Sequence, residues 1–164
     1  ALLGPGIAGC VLGVAQRALD EIVALAPDKV RFRREVTIAE RGAFQRDLGA
    51  LSIRFRGARL ALIDTLSDIW RAIEAGEEVP VAHFAAFQAA NTHAFDTATE
   101  IAAFAYRYAG AAALYLDHIL QKLSRDLMAI GQHVALANEN YEFGGQALLG
   151  MAEHRFHTAM RPEA

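Results

Sequence analysis

The 164-residue chain is poor in cysteine, tryptophan and proline, with one, one and four, and its charges nearly balance at 16 Lys and Arg against 19 Asp and Glu. Each shortage excludes something. A lone Cys10 rules out a disulfide framework and a thiolate zinc cluster; it fits a reducing compartment, so a cytoplasmic setting is expected. A formal net charge of −3 offers no basic field for nucleic acid. Long hydrophobic runs are also missing. Residues 1–15 carry no charge, yet that stretch is shorter than the roughly 20 residues that span a bilayer. No basic segment precedes it, as a secretory signal requires. No membrane partner is expected. Strand signals are almost absent, while helical periodicity runs through the chain.

What remains is apolar and helical. Hydrophobic residues make up 54% and charged residues 21%. That is apolar for a soluble monomer of this size, and it implies surface buried against something else. The length suits one domain with one core. The chain starts at Ala1, which suggests a processed or truncated piece of a longer polypeptide.

Four long helices are predicted. The first, opened by Pro5, places Ile7, Val11, Val14, Ala18, Ile22 and Leu25 on one stripe. Gly9 and Gly13 lie one turn apart on it. Glycine there costs about 1 kcal/mol against alanine, which points to tight helix packing, or to close approach of another helix or a ligand. Ala26-Pro27-Asp28 ends this helix. Thr37-x-x-Glu40 has the form of a capping box that would start the second. Its stripe includes Phe44, Leu48, Leu51, Phe55, Leu62 and Ile69 and runs to about Ala75, a rod about 50 Å long. Gly76 and Pro80 mark the next break. The third helix spans Val81 to about Ala109 and carries Phe84, Phe87, Ala94, Ile101, Phe104 and Tyr108; Gly110 stops it. The fourth begins near Leu116 and carries Leu120, Leu123, Leu127, Ile130, Val134 and Ala137. The expected fold is therefore all-α, an up-down-up-down four-helix bundle over residues 1–150, with a polar tail at 151–164.

Few residues look chemical. The histidines lack the Glu-x-x-His spacing of a di-iron bundle, and only His154 and His157 in the tail form a weak metal pair, so no metal is expected. Cys10 reads as a buried, inert thiol. No nucleophile elbow or Walker loop is present. The basic run Lys29 to Arg34 reads as a solvated loop or a phosphate contact. On an ideal helix Lys122, Asp126, Ala129 and His133 share a face beside the buried stripe. His133 then sits at the edge of the core. It reads as a satisfied structural histidine or as a group that exchanges a proton near neutrality.

Five segments in order resemble one family: GIAGCVLGVAQRALDEI at 6–22, IAERGAFQ at 38–45, YRYAGAAALY at 106–115, LQKLSRDLMAIGQHV at 120–134 and YEFGGQALLG at 141–150. Together they resemble the C-terminal helical domain of the acyl-CoA dehydrogenase superfamily, in its flavin-dependent monooxygenase branch. That branch includes oxygenase components of two-component aromatic hydroxylases and desulfurisation monooxygenases. The resemblance implies that a helical domain and a β domain precede the bundle, that a flavin lies between them, and that subunits form tetramers through the bundles. It implies an oxidoreductase using reduced FMN, or FAD, delivered by a separate flavin reductase, with O2 and an organic, aromatic substrate. The isolated bundle would be inactive. Many dehydrogenases of the superfamily hold a catalytic glutamate in a Tyr-Glu-Gly-Thr motif; His133 and Val134 stand at its Tyr-Glu positions here. Tyr141-Glu142 falls about two turns too late. By the same likeness His133 faces substrate and flavin. Arg34 precedes Gln45 at the spacing of an arginine and glutamine that reach the flavin of a neighbouring subunit. Thr37 stands where the family often has phenylalanine. Arg125-Asp126 matches a charge pair of structural character. An acyl-CoA dehydrogenase and a non-enzymatic assembly module are the alternatives.

Overall fold

The computed structural model describes residues 3–30 and 35–152, and among these every regular element is helical. Five α-helices follow in order: α1 Leu3–Leu25, α2 Gly42–Glu74, α3 Val81–Ala109, α4 Ile119–Ile130 and α5 Glu139–Leu148. They make four rods, because α4 and α5 are two halves of one broken rod. Both run antiparallel to α3: Leu127 packs in the core with Ala98, while Gly144 comes against Ala89 and Ala85. The up-down-up-down bundle is therefore present, with its last rod interrupted.

α3 is the axis of the fold and touches each of the other four helices. Its sequence explains why. Alanines at 85, 90, 94, 98, 102, 105 and 109 are buried on nearly all sides, and so short a side chain lets neighbouring helices approach closely. α1 contributes Val11, Ala15, Ala18 and Ile22, all fully buried at spacings of three and four. α2 and α4 flank the α1–α3 pair. At one end Phe44 of α2 stacks on Phe104 with ring centroids 5.4 Å apart and meets Tyr108 edge-on at 5.0 Å. At the other end Phe84 meets Phe143 of α5 at 6.4 Å.

Several local expectations are corrected. The fourth helix does not run on to Ala137. It ends at Ile130, a 3-10 turn follows at Val134–Leu136, and α5 starts afresh. Val134, placed by periodicity in the buried stripe, is 75% exposed. Thr37-x-x-Glu40 forms a real contact, with the Thr37 N–H and hydroxyl both donating to Glu40 Oε2 at 2.8 and 2.9 Å. It closes a turn rather than a helix start, because α2 begins at Gly42 with Arg41 as its N-cap. Cys10 is exposed, not buried. Gly9 and Gly13 face open space, with nothing within 4 Å of a built Cβ, so tight packing within the chain does not explain them. Gly76 and Gly110, with φ of 70° and 63°, do end helices as glycine should. The tail histidines His154 and His157 lie outside the described residues.

Candidate functional site

The break between α4 and α5 presents His133. Gly131 sets it up: a Cβ there would sit on the ring of Phe95, so only glycine lets that ring pack against the end of α4. The chain then leaves the helix. The His133 N–H donates to the Ile130 carbonyl at 3.0 Å, and its carbonyl accepts from Leu136 at 2.9 Å. Its Nδ1 accepts from the Ala135 N–H at 3.1 Å, capping the 3-10 turn. That bond places the proton of the neutral ring on Nε2, which makes the free edge of the imidazole a donor. His133 is exposed, and it shares no helical face with Lys122 and Asp126, because the helix stops three residues before it.

A polar latch pins this break to α3. Thr92 is fully buried. Its hydroxyl donates to the Ala137 carbonyl at 3.0 Å and accepts from Asn140 Nδ2 at 3.0 Å. Asn140 Nδ2 also approaches the Val134 carbonyl at 3.4 Å. One turn further along α3, Asp96 Oδ2 accepts from the hydroxyl of Tyr141, the next residue of α5, at 2.8 Å. Partial burial first, then the bond and charge of Asp96, push the Tyr141 phenol well above its ordinary pKa. Periodicity missed this latch. Its signal was present as Asn91, Thr92 and Thr97, three polar side chains buried on an otherwise apolar helix.

Beside the break, α3 and α4 leave a largely apolar groove of about 510 Å³. Phe95 belongs to both places. Thr99, Tyr106, Gln121, Arg125 and Met128 line the rest. Gln121 Oε1 is buried there with no hydrogen-bond partner among the described residues. Arg125 and Asp126 form no ion pair with each other or with any other described residue.

The other expected contacts lie elsewhere. Gln45 is exposed on the first turn of α2, where its Nε2 donates to the Ala39 carbonyl at 2.9 Å. Arg46 pairs with Asp47 at 2.8 Å, and Arg107 reaches Asp47 at 4.0 Å while lying over the Tyr108 ring. Gln45 thus sits at the level of Phe104 and Tyr108, whereas His133 sits at the level of Thr92 and Phe95. Those levels are on the order of 15 Å apart along α3. Within one chain the two do not meet. Arg34 lies outside the described residues, as does most of the basic run. Its neck is described: Val30 bridges Thr37, and the Ile38 N–H donates to the Lys29 carbonyl at 2.8 Å. No group of three or more His, Cys, Asp or Glu that could hold a metal occurs among the described residues. No described helix is long and apolar enough to cross a membrane.

Comparison with known proteins gives a consistent pattern. Residues 5–138 match the family model described as acyl-CoA dehydrogenase, C-terminal domain. The chain is 27% identical over 139 residues to indole-3-acetate monooxygenase of Pseudomonas putida, covering 85% of this chain and 36% of that protein. Among solved structures it resembles XiaF from Streptomyces sp. in complex with FADH2 and glycerol, with TM-score 0.84, 19% identity, and coverage of 98% of this chain and 40% of that one. It also resembles 3-HSA hydroxylase from Rhodococcus sp. RHA1, with TM-score 0.79, 22% identity, and coverage of 92% and 38%. These structural likenesses establish the fold. The chain spans little more than a third of the length of the curated relatives it matches.

Proposed function

The chain belongs to the acyl-CoA dehydrogenase C-terminal domain family, and from that premise we propose that it serves a reduced-flavin-dependent monooxygenase as the helical wall of the flavin and substrate chamber. The observation that carries this reading is His133: an exposed imidazole, held by its Nδ1 bond, at the place where the resemblance puts a dehydrogenase's Tyr-Glu pair. Val134 follows it, so no carboxylate stands at that place to take a proton from a thioester. The similarity to indole-3-acetate monooxygenase supports the same branch.

The residues present fit a flavin shared between copies. His133 and Gln45 are both at the surface and at different levels of α3, so His133 serves the chamber of its own chain and Gln45 that of a neighbour. A reduced flavin, when bound, supplies the electrons and the oxygen activation. This chain's part is narrower. Nε2–H of His133 donates to an oxygen of the substrate and orients it. The Thr92 latch holds the break so that the ring stays placed. The flavin is FMN or FAD, the reductant arrives through a separate reductase, the substrate is a small aromatic molecule, and the assembly is a tetramer in the cytoplasm.

The test uses the complete gene product. Reduced flavin, labelled O2 and a panel of aromatic acids should yield labelled hydroxylated product, and acyl-CoA thioesters should leave oxidised flavin unreduced. Reduction of the flavin by a thioester would assign the protein to the dehydrogenases instead.

A further inference from the structure

The groove between α3 and α4 is built from one face of each helix. Phe95, Thr99, Ala102 and Tyr106 recur at four, three and four on α3, and Gln121, Arg125 and Met128 at four and three on α4. From Phe95 to Tyr106 it runs about 16 Å along the bundle. Its base is apolar, with Ala102 and Leu127 buried there. A volume of about 510 Å³ is that of a small-molecule site. Polar groups in it are unspent. Gln121 Oε1 is buried and accepts nothing, and neither the Tyr106 hydroxyl nor the Arg125 guanidinium bonds to any described residue. Ser124, by contrast, returns its hydroxyl to the Leu120 carbonyl at 2.9 Å. No Asp or Glu lines the groove among the described residues, so the Arg125 charge is uncompensated there. His133 is not part of the lining either; Phe95 is the residue that the groove shares with the break.

We propose that this groove is a binding site, separate from the one at His133, for a small aromatic acid that carries a ring hydroxyl. Each part of that ligand answers a part of the groove. The ring fills the apolar trough against Phe95 and the Met128 thioether, both of which favour aromatic contacts. The carboxylate meets Arg125, whose planar fork takes a carboxylate through two bonds. A buried amide oxygen with no donor is costly, and an N–H or O–H is what it accepts from. The ring hydroxyl supplies that donor to Gln121. Gln121 and Arg125 lie one turn apart on one face of α4, with Cβ atoms about 6 Å apart. A benzene ring substituted at opposite ends holds its hydroxyl and carboxylate at a similar span. A plain hydrocarbon would leave both polar groups unserved, and inorganic phosphate would meet Arg125 but leave the trough empty. The site rests on the bundle alone and does not depend on the flavin reading.

Isothermal titration of the flavin-free complete gene product with 4-hydroxybenzoate, benzoate and phenol tests the site. The first should bind. Benzoate and phenol each lack one of the two polar groups, and each should bind at least about tenfold more weakly. Arg125→Gln should bring 4-hydroxybenzoate down to the affinity of phenol, and Gln121→Leu should bring it down to that of benzoate. Ala103→Trp adds bulk at an exposed position of the lining, so it should fill the groove and abolish binding with far-UV circular dichroism unchanged. Failure of 4-hydroxybenzoate to bind the parent protein would overturn the site and leave the monooxygenase reading untouched. Full affinity in Arg125→Gln and Ala103→Trp would also overturn it, because the ligand would then sit elsewhere. Affinity lost in His133→Ala but kept in Arg125→Gln would put the ligand at the break and overturn a separate site.

Discussion

Thr92 holds two partners from across the break, and its loss would leave the Ala137 carbonyl with only the Asn140 N–H and release the Asn140 side-chain amide. Thr92→Val keeps the shape and removes the bonds, so it should cost about 1–3 kcal/mol in denaturant unfolding. Gly131→Ala should cost a similar amount, about 1–3 kcal/mol, because the added methyl drives into the Phe95 ring. The Tyr141 phenol supplies a pH signature. Its folded pKa is raised, so its stabilising contribution is whole below the ordinary phenol range and is lost as pH climbs towards the folded value. Alkaline unfolding of the parent chain should therefore steepen above about pH 10, and Tyr141→Phe should remove that steepening. An identical alkaline profile in the two proteins would deny the Asp96 bond its role.

At the scale of elements, three of the four rods were legible because their apolar residues recur at three and four. The fourth was legible as far as Ile130 and not beyond it. Leu120, Leu123 and Leu127 do line the core, and the same period extended to Val134 misled, since nothing in hydrophobicity marks where a helix stops. The stop was written in Gly131, whose reason is the ring of Phe95, a residue 36 positions earlier in the chain. Thr37 and Glu40 showed a similar limit: the local bond formed, but the helix it was expected to open starts later. The α1 glycines make a test at this scale. With no neighbour within 4 Å, Gly9→Ala and Gly13→Ala should each raise the stability of this chain by up to about 1 kcal/mol. Destabilisation would show that the face is packed against something in solution.

For the whole molecule, the sequence carried the fold through its helical periods and the family through its ordered segments. It carried the candidate site only as a residue name. His133 was expected on a helical face at the core's edge, and it stands instead on a capped turn at the surface. Under the proposed function that change matters because Nδ1 capping leaves Nε2–H as one defined donor. Gln45 and His133 lie at separate levels of α3, which suits a chamber completed by other parts of the protein and by a neighbouring copy. The most direct measurement is oxygen coupling in the complete gene product, with and without His133→Ala. The account predicts that the variant still consumes O2 with reduced flavin but loses at least about tenfold in product, the remainder appearing as hydrogen peroxide. Equal product yield and equal turnover in the two proteins would contradict it.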